Sequence, residues 1–505
     1  MTIADRLARK PPGYTLTIGR VLAIYSGLMV TLLLAALDQT IVATALPRVV
    51  SDLGGITQYS WVFTAYMLTS TVTVPLYGKL GDVYGRKYLF LFSIVVFLIG
   101  SALCGLAQGM TQLVLFRAVQ GIGAGGLFPL SLAVIGNIVP PRDRGRWQGL
   151  IGAVFAASSI AGPAIGGFIV DNTTWRWVFL VNLPIGGLAL VVIIFTMPRR
   201  APLAEHSIDW LGAAVLAGGT AALLLGLVWG GRDYAWSSGH VVSALAIAAV
   251  LLVLFAVVER RAREPILPFD VLRNPIVGSS IACMALVGMA MFGTISYVPL
   301  FVQGVIGTSA TSSGVVLTPL MLGAVATSIV TGQLVSRTGR YRWNAVLGPP
   351  VLAIGMLLLW RMDVDTTNGE AARNMVIAGI GIGSMMQVFV LSVQNAVSRG
   401  LMGSATALTQ FARQMGATVG VTVMGAIVNH GLPRQAGGAE LGVVHRLPPA
   451  LRESLADALH PAFLAAAIVS VAVWAIAVVG VKEVPLRESL DEISAVEAAA
   501  ATPAE

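Results

Sequence analysis

Short charged breaks cut this chain into a succession of uncharged apolar runs, each about as long as a bilayer is thick. The clearest break is Gly78-Lys79-Leu80-Gly81-Asp82-Val83-Tyr84-Gly85-Arg86-Lys87, glycine-rich and charged, while 57–77 and 88–106 on either side carry no charge. A spanning helix needs about 20 mostly apolar residues. A tight charged turn between two such helices must therefore lie at a membrane face. Its lysines and arginine favour the cytoplasmic face.

Read this way, the 505 residues hold about fourteen spans. An even count puts both ends on one face. Most Lys and Arg, including Arg142-Arg144-Arg146, Arg260-Arg261-Arg263 and Arg337-Arg340-Arg342, fall in loops on the face of the N-terminus. Both termini are therefore expected in the cytoplasm. Only 11% of the chain is charged, against about a quarter in soluble proteins. The net charge of +8 is then a matter of orientation. No basic face with interleaved aromatics points to nucleic acid. Cys104 and Cys283 lie inside apolar runs and read as free thiols, with no metal spacing around them. No cofactor or metal is expected. The polar, basic stretch 1–20 has no leader-like apolar core.

The chain repeats itself faintly. Gly332-Gln333-Leu334-Val335-Ser336-Arg337-Thr338-Gly339-Arg340 echoes the opening break, and the same offset sets Gly162 and Gly166 on Gly416 and Gly420. Two parallel halves of six helices each account for such a repeat. The offset covers eight spans, however, so two spans, near 209–229 and 240–259, are surplus. The expected units are 1–200, an inserted pair in 201–270, 271–482, and a polar tail 483–505. Ser336 stands where the first copy has Asp82, so the second copy of any contact made there should be weaker or lost. Leucines at 447, 451, 455 and 459 predict a short amphipathic helix on the outer surface, ahead of the last span.

Few polar groups sit inside the runs. Asp38 has no other charge between Arg20 and Arg48. An acid at that depth marks a functional site by default, either a proton carrier or a structural carboxylate. Arg117, at a comparable depth in the fourth span, is its natural partner. Gly162-Pro163-Ala164-Ile165-Gly166-Gly167 should kink the fifth span and let a neighbour come close. Arg413 has no charged mate in its span and either faces a cavity or bonds helix carbonyls. Gln387 joins helices or meets substrate. Phe292 and Met385, within a group of methionines, line a pliable pocket or fill core.

These strings, in this order, resemble the major facilitator superfamily of secondary transporters. Gly78, Asp82, Gly85 and Arg86 match its signature loop. Leu37-Asp38-Gln39-Thr40-Ile41-Val42 and Trp175-Arg176-Trp177 are similar to motifs of its fourteen-helix drug:proton antiporter branch, the span around Arg117 resembles the superfamily's helix 4 motif, and Gly162-Pro163 with its flanks resembles a motif of its antiporters. The resemblance implies an all-α polytopic membrane protein, two six-helix bundles plus two additional central helices. It implies that Asp38 and Arg117 couple protons, that the loop latches the halves on the cytoplasmic side, and that the Gly162 motif marks an antiporter. It further implies a non-enzymatic, monomeric multidrug efflux protein of a bacterial inner membrane, embedded in lipid. The cargo would be lipophilic and often cationic, with lipid or lipophilic-metabolite export as the alternative and a non-transporting sensor as a third reading.

Overall fold

A computed structural model of the chain describes residues 16–54, 58–198, 209–231, 234–262, 265–266, 269–306, 310–431 and 449–486. Within them the chain is all helix apart from turns and one isolated bridge between Gly230 and Tyr234. The long helices are α1 (Ile18–Leu53), α2 (Tyr59–Tyr84), α3 (Arg86–Gly105), α4 (Met110–Ile138) and α5 (Pro141–Asn172). Then come α6 (Trp177–Thr196, broken at Val181), α7 (Trp210–Trp229), α8 (Gly239–Glu259) and α9 (Pro275–Gly304). The chain continues as α10 (Ala310–Thr338), α11 (Arg342–Trp360), α12 (Asn368–Ala396), α13 (Met402–Gly431) and α14 (Pro449–Gly480).

Twelve of these are long and apolar enough to cross a membrane. The other two, α2 and α5, are as long, at 26 and 32 residues. The first carries Thr69, Ser70, Thr71 and Thr73, and the second opens on Arg142, Asp143 and Arg144. The outside of the bundle is apolar, with Phe92, Phe195 and Val250 more than half exposed, while polar side chains such as Ser101, Gln120 and Asn182 are buried. That inversion of the soluble pattern fits hydrocarbon as the solvent. This is a multi-pass membrane protein.

Helices α1 to α6 pack among themselves, as do α9 to α14, and α7 packs on α8. The two sets meet along α5 with α10 and α2 with α13, where α7 also leans. The expected short helix ahead of the last span is not separate. From Pro449 on it is the start of α14, which runs unbroken through Pro461. His460, donating its Nε2–H to the Met362 carbonyl at 2.6 Å, pins this extension against the end of α11. Leu447 and residues 432–448 lie outside the described set, as do Arg263 and most of the tail.

Ionic groups organise the face where α1 begins. Even-numbered helices end there and expose carbonyls; odd-numbered helices begin there and expose N–H groups. Cations serve the ends: Lys87 donates to Ile194 and Met197 carbonyls at 2.6 Å each, Arg20 to Thr196 at 2.9 Å, and Arg342 to Val478 at 3.2 Å. Acids serve the starts. Asp209 accepts from Gly212 N, and Glu483 from Tyr341 N and Arg342 N. Both arrangements complement the helix dipole.

Asp82 does the same across the two sets of helices. From the end of α2 it accepts from Gly403 N at 3.0 Å, Ser404 N at 2.8 Å and Ser404 Oγ at 3.1 Å, at the start of α13. Arg86 holds it, Nη2 to Oδ1 at 2.7 Å, and donates Nη1 to the Ala133 carbonyl at 2.8 Å. Gly85 adopts φ 91°, which lets α2 turn into α3. A methyl on Gly78 would collide with Ala407 of α13. The second copy is not lost. Ser336 of α10 donates to Asp143 of α5 at 3.1 Å, and Arg142 donates to the Ser336 carbonyl at 3.3 Å. The acid has moved to the other partner. Gly145 and Gly332 touch backbone to backbone at this crossing.

Asp82→Ala should therefore loosen the α2–α13 seam. Cys104 and Cys283 are buried, so a cysteine placed at Ala407 can be followed alone with a membrane-impermeant maleimide. Labelling should rise about tenfold, the worth of one charge-assisted contact; an unchanged rate would show that Asp82 does not hold the seam.

Candidate functional site

Asp38 and Arg117 lie deep in α1 and α4, and neither has any exposed surface. Arg117 Nη1 donates to Asp38 Oδ2 at 2.6 Å. The second carboxylate oxygen accepts from Gln120 Nε2 at 2.8 Å and from Asn182 Nδ2 at 2.9 Å. Every contact to the acid is thus a donor, the surroundings of a carboxylate anion. Ser101 closes the ring: Gln120 and Asn182 both donate to its Oγ, at 3.2 and 2.9 Å, and it donates to the Phe179 carbonyl at 2.9 Å. Arg117 also donates to Gln120 Oε1 at 2.8 Å and to the Val62 carbonyl at 3.3 Å. Helices α4 and α6 therefore meet the α1 carboxylate directly, and α3 joins them through Ser101.

Local sequence explains the positions. Gln120 follows Arg117 by three residues and shares its helix face. Asn182 sits beside the break in α6, where the chain re-enters the helix. Gly162 brings α5 against α1 two residues beyond Asp38: a methyl there would strike Thr40, whose Oγ1 donates to the Ser158 carbonyl at 3.2 Å. Gly166 is buried, and Gly167 faces open space. Pro163 lies within α5, with its ring outside the described set.

A cavity of about 600 Å³ lies between the two sets of helices. Its wall comes from the parts of the helices away from the α1-start face, at Phe63, Tyr297 and Gly425, and it is shut on the α1-start face by the Asp82 seam. At its floor Thr71 donates to Gln414 Oε1 at 2.8 Å, joining α2 to α13. Tyr66 separates the cavity from the ion pair. Its ring lines the cavity and lies 4.2 Å from the Arg117 guanidinium carbon. The acid is thus one side chain away from the cavity.

Phe292 and Arg413 are on the cavity wall. Gln387 and Met385 are not among the described lining residues. Met385 is fully buried and packs on α11 at Gly348, because its side of α12 faces that helix and not the cavity. Sequence reasoning passed over Gln120, Asn182, Ser101 and Tyr66. Their signal was weak: single uncharged polar residues in apolar helices. It also passed over Leu227, Gly230 and Trp236, at the far end of α7 and in the turn after it, which line the cavity.

Comparison with known proteins agrees with this architecture. The profile of the Major Facilitator Superfamily matches residues 28–421. The Multidrug transporter protein MdtP of Bacillus subtilis (strain 168) is 40% identical over 408 residues, covering 80% of this chain and 74% of that protein. Multidrug resistance protein 3 of the same organism is 39% identical over 401 residues, covering 79% and 78%. The solved structure of the proton:xylose symporter XylE superposes with a TM-score of 0.65 at 15% identity, covering 95% of this chain and 99% of that one, a likeness of fold. Helix order, the paired sets of six, and a profile match across most of the chain converge: this protein belongs to the major facilitator superfamily.

Proposed function

We propose that the chain is a proton-coupled efflux antiporter for lipophilic compounds in a bacterial cytoplasmic membrane. It has fourteen crossings, both termini in the cytoplasm, and works as a monomer. Its units are residues 1–200, the pair in 201–270, the second bundle in 271–482 and a tail from 483. The observation that carries the reading is the sealed Asp38–Arg117 pair, one side chain behind an apolar cavity. The multidrug relatives support export as the direction.

With the α1-start face in the cytoplasm, this conformation is closed inside and faces outward. A proton entering from outside must reach an acid held by three donors. It can bind only if the donors move. A shift of α4 or α6 that draws Arg117 or Asn182 away from Asp38 frees an oxygen for the proton. The protonated acid no longer holds the guanidinium, and four helices lose their common anchor. The halves can then rock, parting the Asp82 and Asp143 contacts and opening the cavity inward. Release of the proton inside restores the pair and resets the cycle. A cationic compound, the cargo the sequence reading expects, meets no carboxylate on the described wall and must pass Tyr66 to reach Asp38. Lipid or lipophilic-metabolite export uses the same cavity and the same acid.

Asp38→Asn keeps the size of the side chain but removes its exchangeable proton. In everted vesicles, substrate-induced proton release should fall to background while the purified variant still binds substrate. Unchanged release would rule out Asp38 as the coupling group. Asp38→Leu strands the Arg117 charge and should cost about 3–5 kcal/mol of stability in thermal unfolding. Adding Arg117→Leu should recover most of that loss without restoring transport; a single variant as stable as the parent would show that the pair is not desolvated.

A further inference from the structure

The cavity wall carries one charged side chain among the described residues, and it is a cation. Arg413, 9% exposed, sits midway along α13. Its Nε donates to Gln410 Oε1 at 3.0 Å. Its guanidinium carbon lies 5.6 Å from the Phe128 ring centre and 5.9 Å from that of Phe292. Among the described residues no carboxylate pairs with it, whereas Arg117 has Asp38 and Arg86 has Asp82. The Gln410 amide nitrogen beside it also has no partner among the described residues.

A guanidinium keeps its charge in a protein and offers five N–H donors, of which the Gln410 contact uses one. A cation in a largely apolar enclosure with donors unspent is costly unless something anionic meets it. Its planar fork matches carboxylate, phosphate or sulfonate oxygens two at a time. The rest of the enclosure, at Leu32, Phe63, Met67, Phe292 and Trp236, suits an apolar body. The volume is that of a site for one drug-sized molecule.

We infer that this cavity is a binding site for anionic amphiphiles: the acid group seats on Arg413 and the apolar part lies along the wall toward Trp236. The inference rests on the export reading only in treating the ligand as cargo. The anionic group can arrive on a free compound or on a lipid headgroup.

The test is equilibrium binding to the full chain in phosphatidylcholine nanodiscs. The probes are 11-(dansylamino)undecanoic acid, its primary amide, and the matching alkylammonium compound. The acid should bind the unmodified protein about tenfold more tightly than the amide, as expected for a charge-assisted pair, and the ammonium probe most weakly. Arg413→Gln should bring the acid-to-amide ratio close to one, and Arg413→Lys should restore part of it. In phosphatidylglycerol nanodiscs, a weakened acid affinity that Arg413→Gln abolishes identifies a headgroup as occupant. An unchanged affinity identifies the free compound. Equal binding of acid and amide by the unmodified protein, tightest binding of the ammonium probe, or a ratio that survives Arg413→Gln would overturn the inference. The first two comparisons need no variant, so a poorly folding Arg413→Gln does not blunt them. No transport is read, so failure of the Asp38 experiment leaves this result standing.

Discussion

A carboxylate and a guanidinium placed 2.6 Å apart where neither touches solvent set the terms for the first six helices. Either charge alone would be untenable there, and even the pair needs its remaining lone pairs and protons satisfied. The protein meets that need by bringing α3 and α6 to the same point through Ser101 and Asn182. The result is a knot of polar groups whose geometry depends on four helices at once. A change in the charge of Asp38 therefore cannot stay local.

The same economy governs the α1-start face. Helix ends need cations and helix starts need acids. The alternation of up and down helices brings both kinds of end to one surface, as Lys87, Arg342, Asp209 and Glu483 show. The charges gathered on this face also finish its helices. Where the finishing group belongs to the other set, as with Asp82 and α13, the cap becomes a clasp between halves. In the pseudo-symmetric contact of Ser336 with Asp143 an acid again lies at the crossing, supplied this time by the other helix of the pair.

Much of this was legible in the sequence because charges inside apolar runs are conspicuous. Asp38, Arg117, Arg413 and the break around Asp82 announce themselves against uncharged neighbours, and the runs give the helices. The polar shell of Asp38 did not announce itself. Asn182 and Ser101 are ordinary in membrane helices until the fold draws them into one ring of hydrogen bonds beside Asp38. Met385 stayed open because a methionine reads alike in a pocket and in a core. The start of α14 misled because amphipathic spacing at 447–459 says nothing about whether the helix continues past Pro461. The apolar α7 and α8 read only as a surplus pair, since only packing could show that the far end of α7 reaches the cavity.

That last feature gives the molecule a front and a back. Of the two seams where the sets of helices meet, the one between α2 and α13 has α7 laid along it, with Ala213, Leu216 and Phe255 of the pair forming one apolar cluster with Leu76 and Leu408. Among the described residues nothing comparable lies along the seam of α5 and α10. Among the described residues the two flanks of a nearly symmetric body are therefore walled unequally: one is clad by a further helix pair, and the other is not.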